Sequence, residues 1–359
     1  MLGGALPTEE RIIDADAHVL ESEETWDFLQ PNENRFRPIL VRPVADSGAD
    51  QLWSIDGRTI ASLAHRGLKA TERRPSLVDV DATTLENVPK RLAQMDRLGV
   101  DIQVIFPTLF LHRLTDNVEA EQALARSYNR FMAAKCADTG GRLRWVMELP
   151  WISIPDALDE LRACAELGAC GVHAHGLEMG RIISDPYFFP VFEDAQTFEL
   201  PICIHAGDGD WKSQGRTLAT TAPTFILSKI PGIIAFHALF SVDIYRQFPD
   251  LRFGFIELSS DWIPYIASDL RLRYGRSDSS SPPQRLFDDK KIFVCCQNSD
   301  DLEHVLQHID ASRLLFGTDY SHTDTTADLE GISEFQATNK PEIVHQILSL
   351  NPQRFYRMS

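Results

Sequence analysis

The sequence predicts a single α/β domain, residues 1–359, folded as a (β/α)8 TIM barrel with a cap inserted after the first strand. Three observations carry that expectation. Eight short apolar runs alternate with helical patterns, the 359 residues suit one barrel with insertions, and several of the runs end in Asp, Glu or His. A doubly wound open sheet is the competing architecture.

The first strand covers residues 11–16 and runs through Ile12, Ile13 and Asp14 straight into Asp16, His18 and Glu21. Side chains two apart on a strand share a face, so Asp16 and His18 should project together, with Glu21 just beyond on the following loop. Residues 22–81 depart from the alternation and read as the cap over the barrel mouth, with 52–60 as a hairpin. The remaining strands are expected at 101–106, 143–149, 170–174, 201–205, 251–257, 291–296 and 314–318. Helices are expected at 84–98, 119–137, 154–167, 186–198, 261–274 and 300–308. Irregular stretches at 206–221 and 275–283 read as long loops, either facing substrate or merely mobile.

Composition narrows the function classes. The 52 acidic against 35 basic residues give a formal charge of -17, which disfavours a nucleic-acid partner and offers no basic patch to a membrane. The six cysteines form no CxxC pair and sit mostly in apolar runs, as expected for buried free thiols in a reducing cytosol. No signal-peptide pattern or membrane-length apolar run is present, so a cytoplasmic protein is expected. Nucleophile-elbow, phosphate-loop and dinucleotide fingerprints are likewise missing from the sequence.

Barrel active sites lie at the C-terminal strand ends, and those ends are rich in metal ligands. Strand one supplies Asp16 and His18, strand four His173 and His175, strand five His205, strand six Glu257, and strand eight Asp319 followed by His322. His237 closes a further apolar run, 233–237, ahead of strand six. Each has a plainer reading: His173 and His175 as satisfied core residues, Asp319 as a helix cap, Glu257 as an acid held by a backbone donor. Taken together they are harder to set aside, because several carboxylates in one cavity cost several kcal/mol each unless a cation neutralises them. The expected ligand set is Asp16, His18, Glu21, His205, His237, Glu257, Asp319 and His322, with Glu257 and His237 also the candidate acid-base groups. His173 and His175 stay unassigned.

Asp16-x-His18, His205 in Pro201-Ile-Cys-Ile-His-Ala-Gly207, and Asp319 in Gly317-Thr-Asp-Tyr320 resemble the amidohydrolase-related barrels, which include metal-dependent hydrolases and aminocarboxymuconate-semialdehyde-type decarboxylases. The likeness runs from about Arg11 to Phe355 and implies that Asp16, His18, His205 and Asp319 hold the principal metal. One departure matters. After a phrase like Phe248-Pro-Asp-Leu-Arg252, the family's sixth strand ends in a histidine acid or base, whereas this chain has Glu257. Surplus ligands and that exchange are similar to a branch of the family that holds two irons and activates dioxygen.

The resemblance therefore implies a diiron monooxygenase hydroxylating a bulky apolar acyl substrate, possibly carried by coenzyme A, with two Fe2+ ions and Zn2+ or Mn2+ as the other candidates. The competing expectation is a metal-dependent hydrolase or non-oxidative decarboxylase, and a non-catalytic binding barrel is the third. Trp211, Phe240, Tyr245, Trp262 and Tyr265 are candidates either to line an apolar pocket or to pack the core. A small-molecule substrate and a homo-oligomer complete the expectations.

Overall fold

The computed structural model describes residues 11–41, 52–61, 80–208, 225–242, 244–274, 291–322 and 330–358. Trp211, the stretch 275–283 and parts of the expected cap and of the loop after 206 lie outside them.

The strands, in chain order, are β1 (Ile13–Val19), β2 (Ile39–Val41), β3 (Leu52–Ile55), β4 (Arg58–Ala61), β5 (Ile102–Pro107), β6 (Leu143–Met147), β7 (Gly171–His175), β8 (Leu177–Glu178), β9 (Arg181–Ile182), β10 (Ile202–His205), β11 (Phe253–Ile256), β12 (Ile292–Cys296) and β13 (Leu314–Phe316). Eight of them make one sheet in the order β1-β5-β6-β7-β10-β11-β12-β13, with every pair parallel. Backbone contacts bring its two ends together: Asp319 donates to the Asp16 carbonyl at 2.9 Å and His18 to the Tyr320 carbonyl at 2.8 Å. This is the (β/α)8 barrel. β2, β3 and β4 form a small antiparallel sheet after the first strand, as the hairpin reading expects.

The helices that precede the final strands are α1 (Val80–Thr83), α2 (Val88–Leu98), α3 (Val118–Cys136), α4 (Ile154–Glu166), α5 (Phe189–Thr197), α6 (Ile230–Ser241), α7 (Ile244–Gln247) and α8 (Ile263–Tyr274). Local signals account for their ends. Asn87 and Asn117 cap α2 and α3 through their side chains, and α2 stops at Gly99 in the left-handed conformation at φ 69°. α6 takes the apolar run 233–237 into a helix, so His237 does not close a strand-like run as expected. Its sequence Ile-Pro-Gly-Ile-Ile-Ala-Phe-His-Ala-Leu-Phe-Ser is apolar on nearly every side, so it lacks the amphipathic period that marks a helix.

One apolar cluster, including Ile13, Ala15, Val104, Val146, Cys203, Phe293 and Leu315, fills the barrel, and Phe355 and Tyr356 of the C-terminal helix Asn351–Tyr356 close it. A side chain on Gly254 would come within 2.3 Å of the Phe355 ring, so glycine is what lets that plug seat. The six cysteines are all buried and free. No helix among the described residues is long and apolar enough to cross a membrane.

The pairing of β1 with β5 shifts register between Asp14 and Ala17. Before the shift, Ile13 and Ala15 face the barrel core while Asp14 binds Gln103 at 3.0 Å; after it, Ala17 packs outward with Tyr320 and His18 lies against Phe106. The irregularity thus changes the inward parity from odd to even positions. Without it, His18 would share the outward face of Asp14.

Candidate metal centre

Asp16 and His18 reach the C-terminal mouth on β1, His205 ends β10, Glu257 follows β11, and Asp319 and His322 sit on the turn after β13. All six are buried. Their ligand atoms form two overlapping groups, each within 4.8 Å: Asp16, His18, His205 and Glu257, and then His18, Glu257, Asp319 and His322.

Hydrogen bonds orient the imidazoles. His18 Nδ1 donates to the Pro107 carbonyl at 2.9 Å and His205 Nδ1 to the Ala206 carbonyl at 2.7 Å. Each therefore presents Nε2 to the centre. His205 Nε2 lies 3.3 Å from Asp16 Oδ1, and His18 Nε2 lies 3.4 Å from one oxygen each of Asp16 and Asp319. His18 Nε2 is buried and has no hydrogen-bond partner, although both groups it faces are carboxylates. Glu257 Oε2 stands 3.7 Å from His205. Lone pairs and carboxylate oxygens converging in a buried space fit a divalent cation, which would satisfy all of them at once.

The electrostatics agree with that fit. Burial drives His18 down to about 3, with His322 adding to the effect, so its nitrogen stays an unprotonated donor. For Asp16 burial acts upward, but the neighbouring His205 and His18 outweigh it and hold the carboxyl below its usual range. His205 is raised instead, because Asp16 outweighs the opposing effect of burial. Because a metal ligand must offer an unprotonated nitrogen, a bound cation would compete with a proton for His205 Nε2.

Two ligand carboxylates also occupy left-handed backbone, Glu257 at φ 57° and Asp319 at φ 53°. Such conformations are unfavourable for side-chain-bearing residues and concentrate at functional sites. Beside them, a side chain on Gly317 would meet Asp16 Cβ at 2.1 Å, so glycine there is needed for strand one to reach the centre.

Two expected ligands are placed elsewhere. His237 lies on α6, part-buried, with Nε2 3.1 Å from Asp269 on α8, because its neighbour Phe236 takes the inward position against Phe255. Glu21 is buried beside the centre but spends its oxygens on the backbone N–H groups of Thr108 (3.0 Å) and Leu109 (2.8 Å). Burial pushes it up to about 7 against those bonds. Of the candidate lid aromatics, Phe240 and Tyr245 are core residues, Trp262 stacks edge-on to Phe236 at 4.7 Å, and Tyr265 is exposed.

A second polar array adjoins the centre. His173 Nδ1 meets Glu148 at 2.5 Å, His175 Nδ1 meets Glu178 at 2.7 Å, and His112 Nδ1 meets Asp208. The His173 ring links this array to the centre, 4.8 Å from His175 and 5.9 Å from His205. The adjoining pocket is lined by His112, Arg113, Glu121, Glu148, His175 and Glu178 among others. Arg113 Nη1 and the Nε2 atoms of His112 and His175 are buried there without a hydrogen-bond partner. Glu148 directly follows β6, a strand end that the sequence reading passed over, whereas His112 and Asp208 lie in the loops after β5 and β10, beyond the reach of the strand-end pattern.

Burial raises Glu121 to about 8 and Glu148 well above the ordinary range. An acid whose folded pKa is raised contributes stability that is full below its unfolded pKa and lost as pH rises through the folded value. The metal-free protein is thus expected to lose thermal stability between about pH 4.5 and about 8, and Glu121→Gln to flatten that fall. Melting curves across this range check it; a slope unchanged in the variant would contradict it.

The chain is similar to the 2-amino-3-carboxymuconate-6-semialdehyde decarboxylase of Dictyostelium discoideum, 21% identical over 287 residues that cover 74% of this chain and 77% of the relative. Among solved structures it resembles an amidohydrolase from Mycobacterium avium subsp. paratuberculosis K-10 with a TM-score of 0.75, 17% identity, and coverage of 96% and 99% of the two chains. It also resembles a dihydroxybenzoic acid decarboxylase from Polaromonas, determined with bound manganese, at TM-score 0.66 and 16% identity over 97% of each chain. The amidohydrolase profile matches residues 13–358. A match of that extent, over a barrel whose strand ends gather these carboxylates and imidazoles, makes this chain a member of the amidohydrolase family.

Proposed function

We propose that this chain is a metal-dependent enzyme that removes a carboxyl group, without oxidation, from a small polar carboxylate. This replaces the oxygenase expected from the surplus ligands. The curated relative and the manganese-bound structure are decarboxylases, and the pocket beside the centre sets the charged groups Arg113, Glu121, Glu148 and Glu178 among Phe110, Leu114, Leu124 and Trp151. The observation that carries the reading is the convergence of His18 Nε2 and His205 Nε2 on Asp16, with Asp319 completing the cage and Glu257 beside it.

Asp16, His18, His205 and Asp319 would hold the cation. When bound, it supplies Lewis acidity at a substrate oxygen and stabilises the negative charge left as carbon dioxide departs. Glu257 then donates a proton to the carbon that loses the carboxylate, so that R–COO⁻ and H⁺ become R–H and CO2. Arg113 Nη1, without a hydrogen-bond partner among the described residues, would donate to a substrate carboxylate. Arg113→Gln is expected to raise KM roughly 10- to 100-fold with a smaller change in kcat, checked by steady-state kinetics.

One cation per chain is the stoichiometry we propose, of the Mn2+ or Zn2+ kind, in place of two irons. His18 has a single nitrogen to offer and can serve just one of the two ligand groups. His322 already places Nδ1 2.6 Å from Asp319 and Nε2 3.0 Å from Thr108 Oγ1. With Glu21 holding backbone and His237 outside, the ligand surplus is largely used up.

The test combines metal analysis with product analysis under nitrogen. Protein loaded with Mn2+, Zn2+ or Fe2+ is incubated with dihydroxybenzoates and muconate-type carboxylates. Carbon dioxide release without oxygen supports the proposal. Ester or amide cleavage without carbon dioxide would move the assignment to a hydrolase.

A further inference from the structure

Arg91 projects from α2 into the wall of the barrel and is fully buried. Its acceptors are not carboxylates. Nη1 and Nη2 donate to the His18 carbonyl at 3.2 and 3.1 Å, Nη1 also reaches the Ala82 carbonyl and Ser321 Oγ at 3.3 Å, and Nε donates to Gln103 Oε1 at 2.7 Å. The guanidinium carbon lies over the Tyr320 ring, 3.6 Å from its centroid. Ser321 Oγ donates in turn to the same His18 carbonyl at 2.8 Å, and Tyr320 Oη donates to Gln94, also on α2, at 2.6 Å.

These partners have one thing in common. His18 is a ligand from strand one, while Tyr320 and Ser321 directly follow the ligand Asp319 after strand eight. That turn is strained, with Asp319 at φ 53° and Ser321 at φ 90°. On the far side of Gln103, Asp14 ties the same two strands, accepting from Gln103 Nε2 at 3.0 Å, from Thr318 N at 2.9 Å and from Thr318 Oγ1 at 2.6 Å. A buried charge without an ionic partner is costly and needs a structural reason.

We propose that Arg91 is a positioning residue for the cation, its planar fork fixing the spacing between the strand-one ligands Asp16 and His18 and the strand-eight ligand Asp319. The proposal rests on the reading that these residues hold a divalent cation. Its two possible effects on that cation have opposite signs. As a charge, Arg91 repels a bound cation and weakens it; as a fork, it orders the ligands and strengthens it. Lysine keeps the charge and loses the fork, and methionine loses both.

The experiment measures Mn2+ dissociation constants by calorimetry for wild type, Arg91→Lys and Arg91→Met, with melting temperatures of the metal-free forms and the visible spectrum of the Co2+ forms. Arg91→Lys is expected to weaken Mn2+ binding roughly 10- to 100-fold and to alter the Co2+ ligand-field bands, as loss of an outer orienting partner does. Wild-type affinity in Arg91→Lys would overturn the proposal, as would tighter binding in Arg91→Met or a lowered metal-free melting temperature with unchanged affinity. Should either variant fail to fold, Ser321→Ala removes one partner of the fork at little cost; weaker Mn2+ binding supports the proposal and unchanged binding overturns it. A wild-type protein that binds neither Mn2+ nor Co2+ would instead remove the metal reading itself, and this inference with it.

Discussion

Asp319→Asn is expected to abolish turnover to within background, a loss on the order of 10³-fold or more, and to strip the protein of its cation. The substitution is conformationally mild, since asparagine tolerates the left-handed backbone that Asp319 occupies at φ 53°. It also removes a buried negative charge that stands 3.4 Å from His18 Nε2. The metal-free variant should therefore melt at or above the temperature of metal-free wild type, while the gain in melting temperature on adding Mn2+ disappears. Calorimetric titration and paired melting curves read both effects. Retention of the Mn2+-dependent gain would remove Asp319 from the ligand set.

Glu257→Gln is expected to lower kcat roughly 10²- to 10⁴-fold while the cation still binds, because the amide keeps an oxygen in place but has no proton to give. Glu257→His should recover part of that activity, as histidine also tolerates the φ of 57° and offers an acid-base group from the same strand end. The matching control is His237→Ala. Paired with Asp269 on the outside of the barrel, His237 should change kcat by less than about twofold. A loss in His237→Ala comparable to that in Glu257→Gln would reverse the assignment of the proton donor. Steady-state kinetics with metal content measured on the same samples separates loss of chemistry from loss of the ion.

What the sequence disclosed, and what it hid, follows from the range over which each signal acts. Strand ends were legible because a barrel strand compresses its chemistry into two or three residues after an apolar run; Asp16, His18, His205, Glu257 and Asp319 all stand there. α6 was not legible as a helix, since a segment apolar on nearly every face has no period to detect, and His237 was carried into the wrong place with it. Glu21 shows a different limit. Its position beside Asp16 and His18 was visible, but whether its oxygens turn to a metal or to the N–H groups of Thr108 and Leu109 depends on a loop 87 residues away. The pairing of His112 with Asp208 crosses 96 positions and that of Arg91 with Ser321 crosses 230, and no local pattern announces either. The register shift in β1 is hidden for a similar reason: alternation alone puts Asp14 and Asp16 on one face, and only the partner strand reveals that they part.

The junction of β1 with β13 has a bearing on how the chain folds. Asp14 and Thr318 are 304 positions apart, and the neighbouring contacts of Asp16 with Asp319 and His18 with Tyr320 span nearly as much chain. Joining such distant segments is among the last and least rewarded steps of assembly, because the entropy of closing the intervening loop must be met before the contacts return anything. An ion gripped from both sides of that junction would act as a clasp. Its arrival would convert an open, nearly finished sheet into a sealed ring, and its departure would make this seam the place where unravelling begins.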